Sequence, residues 1–264
     1  MSVSLIITTY NRPDALDLVF KSILKQSVSP SEIIVADDGS TNVTKKLIDS
    51  YKSKFQVPLR HVWQEDKGFR VARIRNLAID AAKGDYIISI DGDIVLHKDF
   101  VKSHIYFAKK GFFLQGHRAL LNPKFTEQVL KNDSIDYLIW DRGISNRKNT
   151  IHNLVLAKFF SFKSKKINGL MGGLMSFWKA DAMKINGYDE DFIGWGKEDS
   201  DFGVRLLNSG LWRRDLRFCA VAFHLDHLKD NRMNTKKFYK KNLSILDSSI
   251  SNKTVVCKNG IKKL

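Results

Sequence analysis

Residues 86–93 read YIISIDGD, a short apolar run that passes straight into two carboxylates separated by one glycine. Ile87, Ile88 and Ile90 are β-branched, and a run this short and apolar predicts a strand, Tyr86 to Ile90, buried on both faces. Asp91, Gly92 and Asp93 form its polar tip. Two segments upstream have the same form. Val3 to Thr8 runs into Thr9, Tyr10, Asn11 and Arg12, with Pro13 placed to open a helix. Glu32 to Ala36 runs into Asp37, Asp38, Gly39 and Ser40, and Leu59 to Gln64 supplies a further strand. Helices are expected between them: Pro13 to about Gln26, with Leu16, Val19, Phe20, Ile23 and Leu24 on one face, then residues 41 to 53, then Val71 to Lys83. Buried strands alternating with amphipathic helices predict an α/β fold, a mostly parallel sheet covered by helices on both faces. Ligands of such sheets bind beyond the carboxyl ends of the strands. The tips Thr8 to Arg12, Asp37 to Ser40 and Asp91 to Asp93 are therefore expected to meet at one crevice.

The chain has 264 residues, 43% of them hydrophobic, enough to fill a core. A formal charge of +16 favours anionic partners: nucleic acid, phosphorylated substrates or an acidic lipid surface. Two cysteines, Cys219 and Cys257, exclude a disulfide framework and a four-thiolate zinc site, which fits a reducing, cytoplasmic setting. The start, MSVSLIITTYNRP, lacks the basic opening and apolar length of a signal peptide, and no segment has the apolar length of a transmembrane helix. The expectation is a protein that is soluble or held at a membrane surface.

The second half is less regular. Residues 142–166 hold seven Lys or Arg and no acid, and the small-residue stretch NGLMGGLMSF follows. This predicts a loop-rich subdomain laid over the crevice. From Lys229 onward ten basic residues face two acidic ones, which reads as an appended helical tail. GWGKEDSDFGVRL, residues 194–206, sets Trp195 between two glycines and then gathers Glu198, Asp199 and Asp201. Acids in the first turn of a helix running to Asn208 suit its dipole, with Gly210 just past its end. That reading leaves the flanking glycines and Trp195 unexplained.

Each tip taken alone has two readings. Asp91-Gly92-Asp93 is either an acidic turn or a pair of ligands for a hard divalent cation. Asp37-Asp38-Gly39-Ser40 is either a turn with a helix cap or an acceptor pair for a base and ribose. Arg70, Arg73 and Arg75 are either a solvated face or phosphate partners. Gly172-Gly173 is either a flexible loop or a close approach to a ligand.

Taken together, TTYNR, DDGS, RVARIRNLAI and DGD resemble the nucleotide-sugar-binding half of family 2 glycosyltransferases with the GT-A fold. GGLMSFWKADAMKINGYDEDFIGWGKEDSDFGVRL, with AFHLDH after it, resembles the galactosyl- and N-acetylgalactosaminyltransferase type of carboxyl-terminal region. Bacterial chondroitin-polymerase-like transferases carry both halves. The resemblance spans about residues 3–228 and divides the chain into a nucleotide-sugar half (1–116), an acceptor-binding and catalytic half of the same domain (117–228) and the basic tail (229–264).

By position, the resemblance implies that Thr8, Tyr10, Arg12, Asp38, Arg75, Asp91 and Gly173 bind the donor, and that Asp93 and His224 hold Mn²⁺ or Mg²⁺. It implies Asp199 as general base, with Glu198 beside it in the catalytic pair as an acceptor- or donor-sugar contact and Trp195 at the acceptor. The spacing His224 to His227 also allows a zinc pair or a polar strand end; the matching context assigns His224 and leaves His227 unassigned. Lys197 departs from the family, in which glycine is common there. The implied activity is inverting, metal-dependent transfer from UDP-GalNAc, UDP-GlcNAc or UDP-galactose to a capsular, lipopolysaccharide or lipid-linked glycan. The implied place is the cytoplasm or the inner face of a bacterial plasma membrane; the basic tail, which lies outside the resemblance, is by its charge either a contact for anionic lipid or a solvated extension. Rival readings are a sugar-nucleotide pyrophosphorylase, although no glycine-rich phosphate loop opens the chain, and a nucleic-acid-binding module suggested by charge alone. Nucleic acid is not the expected partner.

Overall fold

The computed structural model describes residues 1–133, 141–227 and 235–264, with only the backbone of 235–237. The first half alternates as expected: β1 (Val3–Thr9), α1 (Pro13–Leu24), β2 (Glu32–Asp37), α2 (Asn42–Tyr51), β3 (Leu59–Trp63), α3 (Val71–Ala81) and β4 (Tyr86–Asp91). The four strands lie parallel in the order β3-β2-β1-β4. Strand alternation sends successive side chains to opposite faces. Leu5, Ile7, Ile33, Val35, Ile88 and Ile90 pack on the face covered by α1, with Leu16, Val19 and Phe20. Ile6, Ile34, Ala36 and Ile87 pack on the other, with Ala72, Ile74 and Ala78 of α3. All of these are nearly or fully buried, so either face would lose about 2–5 kcal/mol on a single Leu or Ile truncation to Ala.

The second half differs from its expectation. Instead of only lying over the crevice, it completes the same sheet. β6 (Phe112–Gln115), β9 (Lys163–Ser164), β10 (Leu174–Trp178) and β11 (Trp212–Asp215) extend the sheet to eight strands, β3-β2-β1-β4-β10-β6-β11-β9. β10 runs antiparallel to β4, with Leu174 beside Ile90 and Trp178 beside Tyr86. A small second sheet joins β5 (Ile94–Leu96), β12 (Ala222–His224), β7 (Ala119–Leu121) and β8 (Ile144–Ser145) in that order. The basic stretch 142–166 folds as β8, a 3₁₀ turn (Arg147–Thr150), α6 (Leu154–Phe160) and β9. The other helices of this half are α4 (Phe100–Phe107), α5 (Pro123–Asn132), α7 (Lys179–Lys184) and α8 (Glu198–Asn208).

The tail forms α9 (Thr235–Ser251), and its start at Lys229 lies outside the described residues. It reads as appended in sequence but packs against α8. Leu246 joins the core beside α8, and buried Asn242 donates to the carbonyls of Ile193 and Gly196 at 3.2 and 2.9 Å. No described helix is long and apolar enough to cross a membrane.

Candidate active site

Strand register builds the centre of the site. Thr8 stands beside Asp91 across β1 and β4, and on the other flank the Asp91 N–H donates to the Gly173 carbonyl at 3.2 Å. Thr8, Asp91 and Gly173 therefore lie side by side where the sheet changes from parallel to antiparallel. Gly173 has φ +81, and a Cβ there would come 2.1 Å from an Asp91 carboxylate oxygen. At Gly172 a Cβ would lie 1.5 Å from Asp199 Oδ2. At both positions a side chain would collide with a carboxylate that closes on the loop, so glycine is required there.

Arg75 joins these parts. It projects from α3, is 4% exposed, and donates to Asp91 at 2.9 Å, Asp199 at 2.8 Å and Thr8 Oγ1 at 3.3 Å, with Glu198 at 3.5 Å. The guanidinium is thus engaged by carboxylates. Its neighbour Asn76 donates to the Tyr188 carbonyl at 2.8 Å and accepts from the Tyr188 N–H at 2.7 Å. The Tyr188 ring in turn stacks on Phe202 of α8, centroids 4.2 Å apart. The Arg-Asn pair therefore fixes α3 against the start of α8, where Glu198 and Asp199 sit in the first turn. Burial raises the Asp199 carboxyl above its usual range against the opposing pull of Arg75, and burial with the Asp199 charge raises Glu198.

A second group sits past the Asp91 tip. Asp93, His224 and His227 bring one donor atom each to within 4.8 Å of one another. His224 Nε2 and His227 Nε2 lie 3.6 and 3.3 Å from Asp93 Oδ2. Asp93 Oδ1 is buried with no hydrogen-bond partner among the described residues. Burial, then the charge of Asp91, pushes the Asp93 carboxyl up to about 6, while burial and Arg118 push His224 down to about 4, leaving its imidazole neutral. A largely buried carboxylate with a spare oxygen beside two imidazoles fits a divalent cation, which would relieve the cost of that charge. His227, unassigned from sequence, belongs to this group.

The remaining expected donor residues are spread along the crevice. Asp38 accepts from Gln64 Nε2 and from the Arg70 N–H at 3.2 Å, and buried Asp37 holds the turn by accepting from the Ser40 N–H at 2.7 Å. Tyr10 donates to Asp66 at 2.8 Å, and Arg12 pairs with Asp14 at 3.1 Å. Arg73 donates to Gln64 at 2.8 Å and Arg70 to the Glu65 carbonyl, so neither reaches the Arg75 cluster. Arg118 was not legible in sequence, because it follows no motif; it donates to the Gly172 carbonyl at 3.3 Å and faces Asp93 and His224.

Trp195 is 43% exposed and stacks at 6.5 Å on Tyr239 of α9. Lys197 stands at φ +80, the left-handed region, which explains why glycine suits this position. Its ammonium lies 5.6 Å from the Tyr239 ring. Lys197→Gly is expected to raise stability by up to about 1 kcal/mol through relief of that backbone strain. Urea unfolding checks this, and a loss of stability would assign the larger effect to the Tyr239 contact.

Comparison with known proteins bears on the same residues. The profile of Glycosyl transferase family 2 matches residues 4–168, and that of the N-terminal domain of galactosyltransferase matches residues 154–228. The chain is 28% identical over 242 residues to chondroitin synthase of Escherichia coli, covering 84% of this chain and 34% of the relative. It is 27% identical over 224 residues to validoxylamine A glucosyltransferase of Streptomyces hygroscopicus subsp. limoneus, covering 79% and 48%. The chain thus spans half or less of the length of these relatives. S. aureus TarS 1–349 in complex with UDP-GlcNAc superposes with a TM-score of 0.65 at 18% identity, over 96% of this chain and 69% of that one. The mannosyltransferase PcManGT of Pyrobaculum calidifontis, in complex with GDP-Man and Mn²⁺, gives 0.62 at 17%, over 95% and 64%. The architecture is GT-A.

Proposed function

The chain belongs to glycosyl transferase family 2, and on that premise we propose that it moves a hexose or N-acetylhexosamine from a UDP-sugar to a glycan hydroxyl, inverting the anomeric centre with the help of a divalent cation. The observation that carries this reading is the tie that Arg75 makes between the Asp91 tip and the first turn of α8, with the Asp93-His224-His227 group two residues past that tip. A UDP donor is supported by the fold shared with TarS, whose complex holds UDP-GlcNAc. A glycan acceptor is supported by the similarity to chondroitin synthase.

In this mechanism Thr8, Tyr10, Arg12 and Asp38 line the nucleoside side of the crevice, with Asp91 at the ribose. Gly173 is assigned to the donor side, where its bare backbone packs against Asp91 and Arg118. Asp93 and His224, with His227, would hold Mn²⁺ or Mg²⁺. When bound, such an ion offsets the negative charge that develops on the departing diphosphate. Asp199 takes the proton from the acceptor hydroxyl as that oxygen attacks the anomeric carbon. The new C–O bond forms on the face opposite the leaving group, and UDP departs with the electron pair of the old one. Arg75 positions Asp91 and Asp199 for these roles. Trp195 offers an exposed ring for a sugar face, and Glu198 a hydrogen-bond partner beside it.

The test is calorimetry of UDP, UMP and GDP with and without Mn²⁺, followed by product analysis with a panel of UDP-sugars. UDP binding that requires the metal, and release of UDP with a transferred or hydrolysed sugar, is the expected result. Binding of all three nucleotides alike, or retention of nucleic acid instead, would overturn the reading. EDTA is expected to abolish transfer and Mn²⁺ to restore it, while Asp93→Ala and His224→Ala each weaken metal-dependent UDP binding; full activity in EDTA refutes the metal assignment.

Membrane contact is part of the proposal in a reduced form. Leu246, Ile245 and Ile250 of α9 pack into the core, whereas Lys240 and Lys241 are exposed, so the contact is electrostatic. Each lysine near an anionic bilayer contributes about 1 kcal/mol. Co-sedimentation with anionic vesicles that is lost at high salt is expected, and sedimentation unaffected by salt would exclude it.

A further inference from the structure

The small sheet carries a second group of metal-binding character at its other end. β5 and β12 pair antiparallel, with Ile94 beside His224 and Leu96 beside Ala222, and the His97 N–H then donates to the Val221 carbonyl at 3.0 Å. Three residues along a strand separate the two ends by about 10 Å. At the far end His97 and Asp99, from the turn that opens α4, meet His152, from the segment after the 3₁₀ turn. One donor atom of each lies within 4.8 Å of the others. The donor set, two imidazoles and one carboxylate, is the same as that of Asp93, His224 and His227.

The spacing is that of ligands and not of a hydrogen bond. His152 Nε2 stands 3.6 Å from Asp99 Oδ2, beyond hydrogen-bond range. Two ligands on one tetrahedral zinc, at about 2.0–2.2 Å from it, lie about 3.3–3.6 Å apart. The carboxylate is already aimed, because its other oxygen, Oδ1, accepts from the Ser27 hydroxyl at 2.7 Å. His97 and His152 stack with centroids 4.8 Å apart. His152 Nδ1 is buried with no partner among the described residues.

One contact competes. The Asp99 N–H donates to His97 Nδ1 at 3.2 Å, so an ion bound to His97 must displace either that bond or the ring proton. That requirement selects an ion with strong imidazole affinity over Mg²⁺ or Ca²⁺.

We propose that His97, Asp99 and His152 form a three-ligand site for a zinc-class transition ion, with water in the fourth position, separate from the candidate catalytic group. The ion ties the segment at His152, in the second half of the chain, to the turn that closes β5. The site does not rest on the transferase reading.

The test uses the full chain, stripped of metal, with Co²⁺ and Zn²⁺ as probes and an Asp93→Ala/His224→Ala background to silence the other group. That background is expected to bind one Co²⁺ per chain with the visible absorption of a tetrahedral site, and Zn²⁺ is expected to displace it and raise the melting temperature. Adding His152→Gln or, separately, His97→Gln is expected to weaken Co²⁺ binding at least about tenfold. Circular dichroism of the metal-free variants checks that both are folded. His152→Gln in the otherwise unaltered chain is expected to retain one ion. Absence of Co²⁺ binding in the silenced background, or unchanged affinity after both glutamine substitutions, would overturn the site.

Discussion

Asp199→Asn lowers turnover by roughly 10²-fold or more while leaving UDP affinity nearly intact, because a general base acts only when the acceptor hydroxyl loses its proton. The substitution keeps the shape of the side chain and its place against Gly172, where there is no room for a larger group. Arg75 keeps its partners Asp91 and Glu198, so the cluster stays assembled. The pH profile gives an independent signature. Burial raises the Asp199 carboxyl, so the active, ionised form is reached only above the usual carboxylate range. Turnover is therefore expected to rise with pH through an acid limb displaced upward, and the asparagine variant is expected to lose that limb. Steady-state transfer across pH, with UDP calorimetry beside it, makes the measurement. Near-normal turnover in the variant would remove Asp199 from its role.

Arg75→Met is expected to have the largest effect on stability. The guanidinium is almost fully buried and stands within ion-pair distance of Asp91, Asp199 and Glu198. Removing one partner of a buried ion pair costs about 3–5 kcal/mol, since the charge left behind is neither solvated nor paired. The sign of the pH dependence follows. Without Arg75 the carboxyl groups of Asp199 and Glu198 have folded-state pKa values raised further above their unfolded ones. Their ionised forms then penalise the folded state above those values, and the penalty is lifted as pH falls and they take up protons. The deficit against the native chain is expected to be larger at pH 8 than at pH 5. Arg75→Lys keeps the charge but cannot bridge several carboxylates at once and should fall between. Urea unfolding at the two pH values measures both; a deficit below about 1 kcal/mol for Arg75→Met would mean that the cluster is solvated.

The first half was legible because its signals are local. β1, β2 and β4 are continuous apolar runs, and each ends within a residue of its expected limit. The start of α8 was equally plain, with its acids in the first turn. β10 was not, because Leu174–Trp178 follows a run of glycines, and what makes it a strand is pairing with β4, more than eighty positions earlier. Arg75 illustrates a different limit. Its position on α3 was readable, but its engagement with carboxylates at positions 91, 198 and 199 depends on contacts that no local pattern encodes. His227 and Arg118 are similar, since one histidine or arginine near a strand end has no distinguishing context. The packing of α9 was hidden by its lysines: the helix looks solvated until Asn242 and Leu246 are seen on its inner side.

The placement of β10 also sets the order in which the sheet can be completed during synthesis. β4 leaves the ribosome with β1 ready beside it, but its other edge has to wait for Leu174–Trp178. Translation at about 5–20 residues per second puts a delay of about 4–17 s between Asp91 and Leu174. Through that interval the edge of an isoleucine-rich strand is uncovered, and such an edge invites pairing with another nascent chain. A chaperone that holds the first hundred residues is therefore expected to raise the soluble yield. It follows that a chain stopped near residue 116 should aggregate, even though it contains every parallel strand of the sheet's first half.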